Sequence, residues 1–229
     1  MKIGLIGLGK MGGNIVLNLL DHGHDVVVYN RDVEKTNTYR DKGALPAYSY
    51  EELVAALPTP RVIWLMVTAG SAVDSILETL TPMLSHGDIV IDGGNSFYKD
   101  TLRRSPLLAE KGIHLLDVGT SGGITGARHG ACLMIGGAKE AYTHLEGAFK
   151  DISIAEGYKY FGKSGSGHFI KMIHNGIEYG MMQAIGEGFE VIEKSEFDID
   201  MADTAHVWRH GSVIRGWLMD LIEEEYKKD

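Results

Sequence analysis

A glycine-rich turn near the start of the chain restricts the fold more than any other feature. An apolar run at residues 2–6 leads into the sequence GLGKMG, and residues 13–20 continue with helical apolar spacing. Glycine-rich turns are common, but GxGxxG between a strand and a helix is typical of dinucleotide binding. The glycines permit a tight turn, a close pyrophosphate and close helix–strand packing, with the phosphates at the helix N-terminus. We therefore predict that the cofactor is bound by Gly7, Leu8, Gly9, Lys10, Met11 and Gly12.

Strand and helix patterns alternate over the first part of the chain. Apolar runs predict strands at residues 2–6, 25–29, 61–67, 88–92 and 113–118, with helical patterns between them. The run RVIWLMV is apolar on both faces, as expected of a central parallel strand. This alternation predicts an α/β fold built on a Rossmann-type doubly wound parallel sheet. Because ligands bind beyond the carboxyl ends of such strands, we expect Val67, Thr68 and Ala69 in the cofactor site.

The residues after the second strand bear on the choice of cofactor. In this fold, an acidic residue here binds the ribose hydroxyls of NAD, whereas an arginine suits the extra phosphate of NADP. The sequence has Asn30, Arg31 and Asp32. Asn30 and Arg31 favour NADP, but Asp32 would repel that phosphate if it points inward. The predicted cofactor is therefore NADP or NAD, with NADP favoured.

Charge and composition exclude several classes of partner. The chain has 229 residues with 22 basic and 31 acidic side chains, a net charge of -9, so a nucleic-acid or anionic-membrane surface is not expected. The single cysteine excludes an intrachain disulfide, and no Cys/His spacing predicts a metal site. No apolar run is long enough to cross a bilayer and no leader pattern is present, so we expect a soluble, cytoplasmic protein. The paired Arg103 and Arg104 are expected to be solvated.

Residues 119–130, GTSGGITGARHG, contain five glycines in twelve positions. Such a segment can be a flexible loop. At the end of a predicted strand it can also form a cradle for a carboxylate or hydroxyl, from Ser121 and the amides of Gly122 and Gly123.

From residue 165 the pattern is helical only, so we predict two domains: a dinucleotide-binding domain over residues 1–164 and an all-α domain over residues 165–229. In the first of these helices, Lys171, His174, Asn175 and Glu178 fall at i, i+3, i+4 and i+7, one face of an α-helix. Tyr179 borders that face. Lys171 and Glu178 can be a structural ion pair, or a desolvated base and a protonated acid.

A second helical segment is predicted at residues 201–224. Within it, Arg215 occurs in the apolar context SVIRGWL, where a cation needs a partner. An anionic substrate and an intramolecular carboxylate are equally acceptable partners on the sequence alone.

Several motifs together carry a resemblance to a known family. They are GLIGLGKMG, DGGNS followed by YKDT, GTSGGITGARHGACLMIGG, GHFIKMIHNGIEYG and HGSVIRGWL. With these motifs the chain resembles the decarboxylating 6-phosphogluconate dehydrogenases of the β-hydroxyacid dehydrogenase group, over nearly its whole length. The resemblance implies oxidation and decarboxylation of 6-phospho-D-gluconate to D-ribulose 5-phosphate with NADP or NAD, and no metal.

The resemblance also implies residue roles. Lys171 matches the general base that takes the C3 hydroxyl proton, and Glu178 matches the acid that protonates the enol carbon. Tyr179 and Arg215 match positions that contact the 6-phosphate. The sugar acid's carboxylate and hydroxyls would be held by Asn95, Ser121, Gly122, Gly123, His174 and Asn175. The positions that match the family's cofactor site are Gly7, Gly9, Gly12, Asn30 and Arg31, and we also predict cofactor contacts from Asn95 and Asp32.

Three departures from the family pattern stand out. His129 and Ala131 replace an aromatic Tyr and a Pro, and Asp32 replaces a Thr found in NADP-using members. The chain also stops soon after Arg215, where family members continue through more helices, so we expect the all-α domain to be truncated. Family members assemble through these helices, which implies a homo-oligomer, a dimer or tetramer.

Two other functions remain open from the residues. A dehydrogenase for a small unphosphorylated β-hydroxy acid could use Lys171 without decarboxylation, although Glu178, Tyr179 and Arg215 argue against it. A dinucleotide-binding fragment without catalysis is the alternative from a different class of protein.

Overall fold

The computed structural model describes residues 1–228. Within that range the strands are β1 (Lys2–Ile6), β2 (Asp25–Tyr29), β3 (Leu45–Pro46), β4 (Val62–Leu65), β5 (Ile89–Asp92), β6 (His114–Ser121), β7 (Ala131–Gly137) and β8 (Ser153–Tyr160). The helices are α1 (Lys10–Asp21), α2 (Val33–Arg40), α3 (Tyr50–Ala55), α4 (Ser71–Leu80), α5 (Tyr98–Ala109), α6 (Gly123–His129), α7 (Lys139–Ile152), α8 (Ser166–Glu193), α9 (Met201–Arg209) and α10 (Trp217–Tyr226).

The strands form one sheet in the order β3-β2-β1-β4-β5-β6-β7-β8. From β3 to β6 every neighbouring pair is parallel. Apolar side chains are buried on both faces of the sheet. Trp64 of β4 packs on Phe149 of α7, with ring centroids 5.8 Å apart. Its neighbour Ile63 belongs instead to the opposite apolar cluster, together with Leu77 of α4. The doubly wound α/β prediction is confirmed.

The sheet is not parallel throughout. β7 runs antiparallel to β6, and β8 runs parallel to β7. Only residues 122–130 separate β6 from β7. A parallel crossover needs about a dozen residues or more, so this short connection can only return the chain in the opposite direction.

Two elements of this region were not predicted from the sequence. The glycine-rich segment is not a loop: β6 extends to Ser121, and α6 follows at once. The side-chain amide of Asn18 in α1 donates to the carbonyl oxygens of Ala127 and Ile152, both at 3.1 Å, which ties α6 to α1. β8 has a largely polar, half-exposed sequence at the sheet edge, so it lacks the apolar run that marked the inner strands.

Arg104 is buried, which corrects the expectation that both paired arginines are solvated. Its side chain is 2% exposed. Arg104 Nε donates to Asp74 Oδ1 at 2.8 Å, and Arg104 Nη1 lies 3.3 Å from Asp92 Oδ2. Arg103 is exposed and pairs with Asp74 at 2.9 Å. One arginine of the pair therefore links α4, α5 and the end of β5 beneath the surface.

The chain divides into two compact units, Met1–Ile173 and His174–Asp229, so that α8 contributes residues to both. The domain boundary at residues 164 and 165 stays a prediction. In the second unit the helical segment predicted at residues 201–224 is two helices, α9 and α10. Gly211, with φ of 84°, follows the end of α9, where a left-handed glycine commonly terminates a helix. None of the helices in residues 1–228 combines the length and apolar character needed to cross a membrane.

Glu223 joins α10 to α9 in the second unit. Its side chain is buried and accepts hydrogen bonds from Lys227, from Arg209 Nη1 at 2.7 Å and from His206 Nδ1 at 2.9 Å. These donors lower the pKa of Glu223 from its ordinary value to about 2, with the hydrogen bond from Lys227 contributing most. The carboxylate therefore stabilises this pair of helices as an anion.

This lowered pKa predicts an acid-sensitive contribution to stability. The contribution should be complete above the unfolded-state pKa of about 4.5 and lost as pH falls towards 2. We expect Glu223→Gln to lower the melting temperature at neutral pH and to have little effect near pH 2, measured by circular dichroism. Glu224→Gln, at an exposed neighbouring position, is the matched control. An equal effect of Glu223→Gln at both pH values would contradict the role of its charge.

Candidate cofactor cleft and active-site residues

A cleft of about 360 Å³ opens at the carboxyl ends of β1, β4 and β5. In a doubly wound sheet this is the crevice in which nucleotides bind, next to the point where the strand order reverses. Most of the cofactor residues predicted from the sequence meet there. The cleft is lined by Gly9, Lys10, Met11, Gly12, Met66, Val67, Thr68, Gly93, Gly94, Asn95 and Thr120.

Sequence reasoning missed four of these lining residues: Met66, Gly93, Gly94 and Thr120. Met66 follows β4, and Gly93 and Gly94 follow β5. Their positions at the carboxyl ends of predicted strands could have indicated that they line the cleft. Thr120 could not be predicted in this way, because β6 extends to Ser121 whereas its apolar run ends at residue 118. Ala69, by contrast, is exposed and does not line the cleft.

The three glycines of the turn have different surroundings. Gly7 has φ of 102°, and a Cβ there would lie 2.3 Å from the Met66 carbonyl oxygen. A Cβ on Gly12 would lie 2.0 Å from the Gly7 carbonyl oxygen, so α1 can approach β1 only without a side chain. A Cβ on Gly9 would meet nothing within 4 Å. The space beside Gly9 is therefore open to a ligand, which fits a dinucleotide pyrophosphate at the N-terminus of α1.

Asn30, Arg31 and Asp32 follow β2 and do not line this cleft. Asn30 Oδ1 accepts the Leu8 amide at 2.9 Å, which ties the end of β2 to the glycine turn. Asp32 Oδ1 accepts the Glu34 amide at 3.1 Å and caps α2. Arg31 is exposed. The Asp32 carboxylate thus sits at the helix N-terminus that follows β2, beside the exposed arginine.

A buried ionic network lies under the loop after β5. Asp92 Oδ1 accepts the Gly94 amide at 3.2 Å, and its other oxygen faces Arg104. Burial raises the pKa of Asp92, against the opposing effects of His168, Ser96 and Arg104. The His168 ring bonds Thr101 Oγ1 at 2.9 Å. These contacts fix the loop that carries Asn95 at the rim of the cleft.

Lys171, the predicted base, lies in the first unit on the second turn of α8. It is buried, with 9% of its surface exposed. A Cβ on Gly119 of β6 would come within 2.4 Å of the Lys171 Cβ, so the base packs directly on the bare backbone of that strand. The next residue of β6, Thr120, lines the cofactor cleft. Lys171 is therefore placed against the strand whose end borders the cleft.

The predicted cradle lies at the end of the same strand. Ser121 is the last residue of β6 and is half-buried. Gly122 has φ of 105° and precedes α6, and Gly123, with φ of 58°, begins it. Two successive left-handed glycines turn the chain there, and their role in binding substrate stays a prediction.

The remaining predicted site residues belong to the second unit. His174 Nδ1 lies 3.5 Å from Glu178 Oε2 and 3.3 Å from Asn175 Oδ1. Tyr179 is 70% exposed. Arg215 is also exposed, between α9 and α10, and its Nη1 donates to the Ser212 carbonyl at 3.1 Å. The apolar sequence context of Arg215 predicted that its cation needs a partner. In the structure that part of the chain lies between α9 and α10, and a role of Arg215 in binding phosphate stays a prediction.

A dinucleotide cleft in a doubly wound sheet, with a buried lysine on the helix that follows the sheet, defines a nicotinamide-dependent dehydrogenase. Comparison with known proteins narrows that class. Residues 2–162 match the family described as the NAD binding domain of 6-phosphogluconate dehydrogenase, and residues 167–196 match the 6-phosphogluconate dehydrogenase C-terminal domain. The chain belongs to the 6-phosphogluconate dehydrogenase family.

Individual relatives agree with this assignment. A Bacillus subtilis protein provisionally named as a 6-phosphogluconate dehydrogenase is 53% identical over 100% of this chain. The NAD(+)-dependent, decarboxylating enzyme of Haloferax volcanii is 44% identical over 100% of it. Among solved structures, Plasmodium falciparum 6-phosphogluconate dehydrogenase, studied in its apo form and with NADP+ and 6-phosphogluconate, is 36% identical over 100% of this chain with a TM-score of 0.93.

The chain is shorter than each of these proteins. It spans 77% of the Bacillus relative, 76% of the Haloferax relative and 52% of the Plasmodium chain.

The different surroundings of the glycines predict different defects. We expect Gly9→Ala to fold normally but to weaken dinucleotide binding about tenfold or more, because its methyl group enters the open space beside the turn. Gly12→Ala should lower the melting temperature, because its methyl group meets the Gly7 carbonyl. Calorimetric titration with NAD and NADP, and thermal melting, measure the two effects. Normal binding by a folded Gly9→Ala variant would contradict the pyrophosphate position.

Proposed function

We propose that this chain carries out the reaction of its family: oxidation and decarboxylation of 6-phospho-D-gluconate to D-ribulose 5-phosphate and CO2, with reduction of NADP or NAD. The observation that carries the proposal is the buried Lys171, packed on Gly119 of the strand whose end borders the dinucleotide cleft. The names of the Haloferax and Plasmodium relatives support the same substrate and cofactors.

In this proposal Lys171 acts twice. It first takes the proton of the C3 hydroxyl, which requires a neutral amine. The nicotinamide, when bound, supplies the hydride acceptor. The resulting β-keto acid loses its carboxylate with the electrons delocalised into the C3 carbonyl. Lys171, now protonated, stabilises the negative charge that develops on that oxygen.

Glu178 is the proposed acid that protonates the enol carbon after CO2 leaves. His174, whose Nδ1 lies 3.5 Å from Glu178 Oε2, would help to hold substrate hydroxyls together with Asn175. Tyr179 and Arg215 are the proposed phosphate contacts, and both are exposed and so accessible to a ligand. The substrate's carboxylate and remaining hydroxyls would be bound by Asn95, Ser121, Gly122 and Gly123.

The base assignment is tested with one substitution and one control. Lys171→Ala should reduce formation of reduced dinucleotide from 6-phosphogluconate by about 100-fold or more, because general-base catalysis is lost. Dinucleotide affinity should change little. Lys163→Ala, at an exposed position before α8, is the control and should keep full activity. Retention of most of the oxidation rate by Lys171→Ala would overturn the assignment.

Cofactor preference is set, in our proposal, by two neighbouring charges. Arg31 would receive the additional phosphate of NADP, and this favours NADP. The Asp32 carboxylate at the N-terminus of α2 opposes the same phosphate, and this allows use of NAD. We further propose a cytoplasmic protein that assembles as a homo-oligomer, as the family resemblance implies.

Asp32→Ser separates charge from helix capping, because serine can keep the cap on α2. We expect the ratio of kcat/KM for NADP to that for NAD to rise about tenfold, as a repulsive charge is removed beside the phosphate. Asp41→Ser, at the other end of α2, is the control for a general change in surface charge. An unchanged ratio would remove Asp32 from the specificity determinants.

A further inference from the structure

The carboxylate of Asp117 lies at the N-terminus of α8. Asp117 belongs to β6, and its side chain is completely buried. Its Oδ1 accepts the Gly165 amide at 2.8 Å, and its Oδ2 accepts the His168 amide at 2.9 Å. These are amide groups of a helix start, which an N-cap side chain normally satisfies. Gly165 has no side chain, so the cap of α8 is supplied by the sheet.

The start of α8 also contacts the backbone of the sheet directly. A Cβ on Gly167 would lie 2.3 Å from the Asp117 carbonyl oxygen and 2.5 Å from that of Met134. A Cβ on Gly136 would lie 2.7 Å from the Gly167 amide. The helix start is therefore held at one place on β6 and β7, and the negative charge of Asp117 is offset by the helix dipole.

The same face of β6 contacts the proposed base one turn further along the helix. Residues 117 and 119 of a strand point to the same side of the sheet, because side chains alternate. On that side, Asp117 accepts the amide of His168, and Gly119 leaves space for the side chain of Lys171. Lys171 comes three residues after His168 in α8. A tilt or fraying of the first turn of α8 would move the lysine off Gly119 and expose it.

We propose that Asp117 is a positioning residue: by capping α8 from β6, it holds the Lys171 side chain buried against Gly119. The catalytic meaning of this inference rests on the proposed role of Lys171 as the base. The burial of Lys171 does not depend on that role, so the positioning of Lys171 and its role as the base can be tested separately.

The test measures exposure of Lys171 directly. The 229-residue chain is acetylated with a small amount of acetic anhydride, and modification of Lys171 is quantified by mass spectrometry. Asp117→Asn should raise its labelling rate about tenfold, because one charged acceptor of a helix amide is lost. The control is Asp88→Asn, since Asp88 is equally buried and accepts the Arg61 and Ser85 amides away from α8, at 2.7 and 2.9 Å. Labelling of Lys171 that rises equally in both variants, or in neither, overturns the proposal.

A second variant covers the case in which Asp117→Asn does not fold. Gly119→Ala keeps the cap but adds a methyl group 2.4 Å from the Lys171 Cβ, so it should also raise Lys171 labelling. Gly147→Ala, where a Cβ meets nothing within 4 Å, is its control. Unchanged Lys171 labelling in Gly119→Ala contradicts the proposed packing.

Turnover provides the functional readout. In both Asp117→Asn and Gly119→Ala, kcat with 6-phosphogluconate should fall about tenfold while KM for the dinucleotide stays constant, since only an interaction at the chemical step is lost. Partial unfolding would also lower the apparent kcat without changing KM, so kcat is divided by the folded fraction measured by circular dichroism, and a kcat restored by that correction would overturn the positioning role. If the unsubstituted chain shows no turnover, the proposed function fails for it, and the labelling experiment still decides the positioning role.

Discussion

Close contact between backbones, at positions without side chains, is the constraint on which the first unit depends. The amino-terminal turn of α1 lies on β1 because Gly12 leaves space for the Gly7 carbonyl oxygen, and α8 lies on β6 and β7 because Gly167 does the same there. Both contacts place a helix N-terminus beside the sheet. At α1 the first residues of the helix line the cofactor cleft, whereas at α8 two amides of the helix start donate to Asp117. The same kind of contact, a helix start packed on the sheet through a glycine, therefore borders the cofactor cleft at α1 and positions a side chain at α8.

The part of the fold that the sequence predicts well is the part with strong apolar contrast. The bounds of β1 and β2 agree with the apolar runs, and the glycine spacing located the cofactor cleft. These signals are local, because an inner parallel strand must be apolar on both faces. Family membership is visible in motifs that cover nearly the whole chain, and the comparisons confirm it.

The errors arose where a distant partner decides the outcome. Arg104 is buried because Asp74 and Asp92 pair with its guanidinium. These partners belong to α4 and β5, so the sequence of its own helix does not predict them. The glycine-rich segment, for which a loop and a cradle both remained open, forms α6, and Asn18, more than a hundred residues earlier in the chain, donates to its Ala127 carbonyl. A periodicity argument reads neighbours along the chain, so it cannot detect contacts supplied by another element.

Asn30 is the residue at the tip of β2 that contacts the glycine turn. Its amide oxygen accepts the Leu8 amide, so it belongs to the framework that shapes the phosphate-binding turn. Arg31 and Asp32 come after that anchor. The Asp32 carboxylate accepts the Glu34 amide of α2, and its main-chain carbonyl accepts Asn30 Nδ2. Because the contact between Asn30 and Asp32 uses the main-chain carbonyl of Asp32, we expect substitutions at these two positions to leave the turn intact. If Arg31 and Asp32 have the roles proposed above, a lineage can exchange one nicotinamide coenzyme for the other through one or two surface changes, without redesigning the nucleotide fold.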